Sequence, residues 1–208
     1  MKRTLFRIPL CLFLILSLLT GLFACGATEE EKKPSSGVYY DDARLSEYIA
    51  PFAYEGLTVE LSSADALKSE AVWALILSRA EILSYPEDAV AYYAEQIRDT
   101  YRYYAKENDW SYERTLEFFG RNEESILSEA REMVKGDLAY RYIVKDAGIS
   151  LSDEDKSAQL DRYVAKLAAD YGYTEDYVRE QMLELVYDSM LYDKTMEHLM
   201  MKNTFVQK

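Results

Sequence analysis

Apolar side chains recur at three- and four-residue spacing along most of this chain, a pattern that predicts long amphipathic helices. Val90, Tyr93, Ala94, Ile97, Tyr101 and Tyr104 form one stripe, with Pro86 suited to its first turn and an end near Glu107. Ser111 caps a short helix that stops near Gly120. A long helix is expected over 123–147, with Leu127, Ala130, Val134, Leu138 and Tyr142 aligned and Gly148 ending it. Ser152 and Asp155 have the spacing of a capping box for the next helix, which Gly172 ends. Thr174 caps the last helix, with Val178, Met182, Leu185, Tyr192, Met196 and Leu199 on one face.

Before Pro86 the pattern is less regular. Residues 41–50 read as one short helix stopped near Pro51. Leu57, Val59 and Leu61 alternate as in an extended segment. Ser62 or Ser63 then opens a helix to about residue 84, with Leu67, Ala71, Ala74, Leu75 and Ile82 on its apolar side. No proline follows Pro86, and the only glycines beyond it are Gly120, Gly136, Gly148 and Gly172. Antiparallel sheets need more turn residues than that. The expected fold class is all-α, an extended bundle of long antiparallel helical hairpins. Two stretches echo each other, Tyr104 to Glu113 and Tyr163 to Asp176. Each joins two helices through an aromatic turn and a hydroxyl cap. Repeated capping chemistry accounts for the echo, and a duplicated hairpin is the alternative.

The N-terminus changes the picture. Lys2, Arg3 and Arg7 precede an apolar run over 8–24, short for a membrane span and flanked like a signal peptide. The run ends in Leu22-Phe23-Ala24-Cys25-Gly26, which resembles the bacterial lipobox, although Phe23 is bulkier than is usual there. That resemblance implies a signal peptide over 1–24, cleavage before Cys25 and a lipid on the Cys25 thiol. The expected address is the extracytoplasmic face of the cell membrane, held by two or more acyl chains. Residues 25–38, with Glu29 to Lys33 followed by Pro34, Ser35, Ser36 and Gly37, read as a flexible tether. A helical domain fills 39–208. Cys11, the only other cysteine, lies in the leader, so the mature chain has no internal disulfide.

Past the leader, 21 basic residues face 37 acidic ones, a net charge of −16. A body this acidic is repelled by nucleic acid and by anionic headgroups, so no nucleic-acid partner is expected.

The run from Ala139 to Asp155, in which Lys145-Asp146-Ala147-Gly148-Ile149 leads to Ser152-Asp153-Glu154-Asp155, resembles the helix ends of the trigger factor C-terminal domain. It is also similar to the N-terminal helical domain of SurA-type chaperones. Ala168 to Arg179 is similar to their second turn, and Tyr54-Glu55-Gly56-Leu57-Thr58-Val59 resembles the segment leading to trigger factor's prolyl-isomerase domain. The resemblance implies a helical cradle that holds unfolded or partly folded exported polypeptides without ATP. No glycine-rich prolyl-isomerase module and no ribosome-docking signature is present, so isomerase activity is not implied. A structural or adaptor lipoprotein that docks one folded envelope partner is the alternative.

No enzymatic constellation stands out, and no catalytic residue, metal or cofactor is assigned. His198 is the only histidine, so neither a His pair nor a Cys–His dyad exists. Glu184, Asp188 and Asp193 share a helix face and read as a solvated surface, with a bound cation as the alternative. The unusual feature is the content of tyrosine, nineteen in all, and of methionine in the last helix. Tyr92 and Tyr103 stand about three turns apart, off the apolar stripe. They are candidate client contacts, because tyrosine offers a large amphipathic area at low entropic cost. Met182, Met190, Met196 and Met200 join them as adaptable side chains. Filling of the helical core is the competing role for all six.

Overall fold

The computed structural model describes residues 42–63 and 67–207. The signal peptide expected over 1–24, Cys25 and the tether expected over 25–38 lie outside the described residues. The chain is mostly helical and carries one small parallel sheet. A 3-10 turn, Asp42–Arg44, leads into α1 (Leu45–Tyr48), then β1 (Thr58–Leu61) and α2 (Lys68–Arg79). There follow α3 (Glu87–Glu107), α4 (Tyr112–Phe118), α5 (Glu123–Asp146), α6 (Asp153–Tyr171), α7 (Glu175–Gln181), α8 (Leu183–Lys202) and β2 (Thr204–Gln207). No helix of the described residues is long and apolar enough to cross a membrane.

The chain packs as two compact units. The first is Glu87–Met133, the second residues 42–86 and 134–207. In the first unit, Ala94 and Ile97 of α3 bury against Leu116 of α4 and against Ile126 and Ala130 of α5. The aligned residues Ala94, Ile97 and Ala130 were legible from spacing. On α5, Ile126 is fully buried and the expected Leu127 only partly so.

The second unit has two apolar clusters. One gathers Tyr54, Leu57, Val59 of β1, Val72 and Ile76 of α2, Ile143 of α5, and Met196 and Leu199 of α8. The other joins α6, α7 and α8 through Tyr163, Val164, Leu167, Ala168, Val178, Met182, Val186 and Met190. The last helix was expected unbroken from Thr174. It breaks at Met182 (φ −125°, ψ 18°), which carries no glycine or proline to mark it. The apolar side of α2 is also shifted from the expected one. Val72 and Ile76 are fully buried, while Leu67 is exposed and precedes the helix instead of lying on it.

The expected alternation at Leu57, Val59 and Leu61 is realised as β1, whose Val59 and Leu61 face inward. Its partner was not anticipated. β2 runs parallel to it, Val59 opposite Phe205, far along the chain. Asn203 makes the junction. Its Oδ1 accepts from the Leu57 N–H at 2.7 Å, and its Nδ2 donates to the Tyr54 and Leu199 carbonyls at 3.0 and 2.7 Å. The Tyr54 hydroxyl donates to Asp146 at 2.6 Å. Burial and the Asp146 carboxylate hold that phenol protonated, well above the ordinary tyrosine range.

The ends of α3, α4, α5 and α6 share one device. The residue after the helix adopts the left-handed conformation, and amides turn back to the last carbonyls. After α5 the Ile149 N–H reaches the Val144 carbonyl, with Gly148 at φ 64°. After α3 the same reversal places the Trp110 N–H on the Ala105 carbonyl. There the left-handed residue is Asp109 (φ 53°), the one non-glycine with positive φ among the described residues. The caps at Ser111 and Thr174 and the full capping box of Ser152 and Asp155 form as expected.

Gly136 sits inside α5, and an added Cβ there would meet nothing within 4 Å. Glycine costs a helix interior ~0.5–1 kcal/mol relative to alanine. Gly136→Ala is therefore expected to raise stability by about that amount, read as a rise in the thermal midpoint. A fall in the midpoint would show that the helix is not regular there.

Candidate functional site

The first unit carries a continuous run of aromatic rings on its surface, built from the end of α3, the turn after it, and α4. Tyr103 and Tyr104 pack edge to face with centroids 6.0 Å apart, and Tyr104 meets Phe119 at 5.6 Å. Phe119 meets Phe118 at 5.2 Å and Tyr101 at 5.7 Å, and Phe118 meets Trp110 at 5.0 Å. Four of the six rings are open to solvent, and Tyr101 and Trp110 are half-buried. Phe118 is 68% exposed, Phe119 45%, Tyr103 44% and Tyr104 42%.

Local structure explains the exposure. α4 is seven residues long, and its buried side is taken by Thr115 and Leu116. Phe118 and Phe119 come at its end, where successive residues point about 100° apart and cannot both follow Leu116 inward. The reversal at Asp109 turns Trp110 back beside them, and the Arg114 guanidinium lies over the Trp110 ring at 4.9 Å. Two of the five ring contacts are edge to face and three are tilted, so each ring packs against a neighbour.

The predicted contact residues divide. Tyr103 belongs to this run. Tyr92 is half-buried against Tyr93, centroids 5.3 Å apart, and takes no part in it. Tyr104, expected on the buried stripe, is exposed. Met182, Met190 and Met196 lie in the two apolar clusters at 6, 3 and 6% exposure, so their assignment to a client surface is corrected to core filling. Residues of α6 and α7 cover Met182 and Met190, and residues of β1, α2 and α5 cover Met196. Met200 is at the edge of exposure, and Met201 beside it is well exposed. Trp110, Phe118 and Phe119 were missed as contacts. The signal was present in two consecutive phenylalanines directly before Gly120, at a helix end with room for one of them in the core.

The second unit has a shallow hollow of about 340 Å³ lined by Ala147 to Ser150 and by Lys194, Glu197, His198 and Met201. The side chains of His198 and Lys194 are engaged in structure. His198 Nε2 lies 2.6 Å from Glu55 Oε1. Lys194 donates to the Ser150 carbonyl at 2.9 Å and to Asp155 at 2.7 Å. Asp193 accepts from the Tyr163 hydroxyl at 2.6 Å. Among the described residues no group of three His, Cys, Asp or Glu side chains is placed to hold a metal ion.

Hydrogen bonds from Lys194, then from the Ser152 amide, pull the Asp155 carboxyl from its ordinary 3.8 to about 2. A depressed carboxylate stabilises the fold above its ordinary pKa, and that contribution disappears as pH falls through the folded value. The capping box is thus expected to strengthen the fold above about pH 4 and to lose this effect by about pH 2. Asp155→Asn should flatten that part of the acid unfolding curve. An unchanged curve would show that the clasp contributes nothing.

The chain is a mostly helical protein with an aromatic surface on one of two units. No protein-family model, curated protein or solved structure matches it.

Proposed function

We propose that this chain is an extracytoplasmic docking lipoprotein, tethered through a lipid on Cys25 and binding one folded envelope partner through the aromatic run of its first unit. The observation that carries this reading is the exposure of Phe118 and Phe119 within a set of packed rings. Trp, Tyr and Phe anchors with charged side chains around them are the composition of protein–protein hot spots. Adaptable methionines would suit a surface that accepts many clients, but three of the four candidates are core residues here. The role is one of binding, with no catalysis, cofactor or nucleic acid.

A second reading, ATP-independent holding of unfolded exported chains by a trigger-factor-like bundle of helical hairpins, is favoured by one observation. Four of the six rings lie open on the surface instead of lining a pocket shaped for one ligand, and apolar segments of many sequences could cover them.

The test compares the wild-type chain with Phe118→Ser/Phe119→Ser in affinity purification from cells after mild crosslinking. A single abundant partner, its recovery reduced at least ~10-fold by the variant, is the expected result. Many co-purified proteins, together with suppressed aggregation of an unfolded test protein, would favour holding. Equal recovery with both chains would remove the aromatic surface from either reading.

A further inference from the structure

The charges around the aromatic run are unevenly engaged. Arg98 pairs with Glu95 and Glu123, Arg102 with Glu95 and Asp99, and Arg121 with Glu129. Arg114 is laid over Trp110. Four acids beside the same rings have no ion-pair partner among the described residues: Glu107, Asp109, Glu113 and Glu117. Against them stand two cations of this stretch without an ion-pair partner among the described residues, Lys106 and Arg114, the latter laid over the Trp110 ring.

Their placement follows from the helices. Glu107 lies one turn beyond Tyr103 and Tyr104 on α3. Asp109 directly precedes Trp110. Glu113 and Glu117 are one turn apart on exposed positions of α4, and Glu117 adjoins Phe118. Asp109 also holds a left-handed position that glycine occupies after α4, α5 and α6. The result is an apolar centre with a rim in which four unpaired acids outnumber two unpaired cations, Lys106 and Arg114.

Resting on the docking reading above, we propose that the partner is a folded protein presenting apolar side chains surrounded by lysine and arginine. The apolar centre supplies adhesion, and the rim selects against acidic surfaces. An acidic partner would face four carboxylates against two cations, and a second copy of this surface would meet the same excess of negative charge. A basic rim pairs with them without first breaking an internal ion pair.

The test uses the full chain in zwitterionic nanodiscs, with empty nanodiscs as the blank, and two probes. Each probe is a helical peptide with Leu and Phe along one face, flanked by four lysines in one and by four glutamates in the other. The lysine peptide is expected to bind about tenfold more tightly at low salt, and the preference should shrink to about twofold in 1 M salt. Removing the rim with Glu107→Gln, Asp109→Gly, Glu113→Gln and Glu117→Gln should likewise reduce the preference to about twofold while both peptides still bind. Asp109→Gly by itself relaxes the backbone, so a smaller preference in that variant is not a folding defect. Equal binding of both peptides by the wild-type chain, or a preference unchanged without the rim, overturns the charge selection and leaves the docking reading in place. Failure of both peptides to bind, with Phe118→Ser giving the same null signal, overturns both the charge selection and the docking reading.

Discussion

Met190→Ala is expected to lower stability by about 3 kcal/mol. Met190 is 3% exposed and sits where α6, α7 and α8 meet, against Val164, Leu167, Val178 and Val186. Truncation removes three heavy atoms from a close-packed site and leaves a cavity, because helices fixed by their caps and by neighbouring side chains close only part of the gap. Denaturant unfolding measures the effect as a lower midpoint at unchanged slope. The same substitution is expected to leave partner recovery unaltered, because the aromatic rings belong to the other unit. A loss below about 0.5 kcal/mol would mean that the side chain is a surface residue after all.

Asn203→Ala is expected to cost a similar ~3 kcal/mol by a different route. Asn203 is nearly buried and makes three hydrogen bonds to backbone groups of Leu57, Tyr54 and Leu199. Alanine leaves an amide and two carbonyls without that partner where water reaches them poorly. An unsatisfied buried group costs far more than a hydrogen bond gains, so the loss exceeds what three surface bonds would be worth. The register of β1 against β2 depends on the same side chain. Amide exchange at Leu57 should accelerate by orders of magnitude, and exchange across α4 should not change. Uniformly slow exchange at Leu57 would show that water or the sheet replaces the lost bond.

The helices were legible because their ends are written in local chemistry. Ser111, Ser152 and Thr174 cap as read, and Gly120, Gly148 and Gly172 stop as read, since each needs only residues within one turn. Ala94 and Ile97 of α3 and Ala130, Val134 and Leu138 of α5 followed from spacing for the same reason, whereas Tyr104 and Leu127 did not. What was not legible depends on distant partners. β2 is strand because residues at the other end of the chain offer it an edge. Met182 and Met190 are buried because α6 and α7 cover them, and Met196 because β1, α2 and α5 do, and nothing in their own segment distinguishes a covered stripe from an open one. The aromatic surface was half legible. Tyr103 was singled out, whereas Trp110, Phe118 and Phe119 were not, because attention to helix faces overlooks rings placed on helix ends. Their exposure follows from the shortness of α4, which could have been read directly from Ser111 and Gly120.

The docking account is tested most directly by contact in the living cell. A photo-crosslinking amino acid placed at position 118, and for comparison at the exposed position Glu132 of α5, would be activated in cells expressing the full chain. One discrete adduct from position 118, absent from 132 and abolished by Phe119→Ser, is the result this account predicts. No adduct at 118, or the same adducts from both positions, would contradict it.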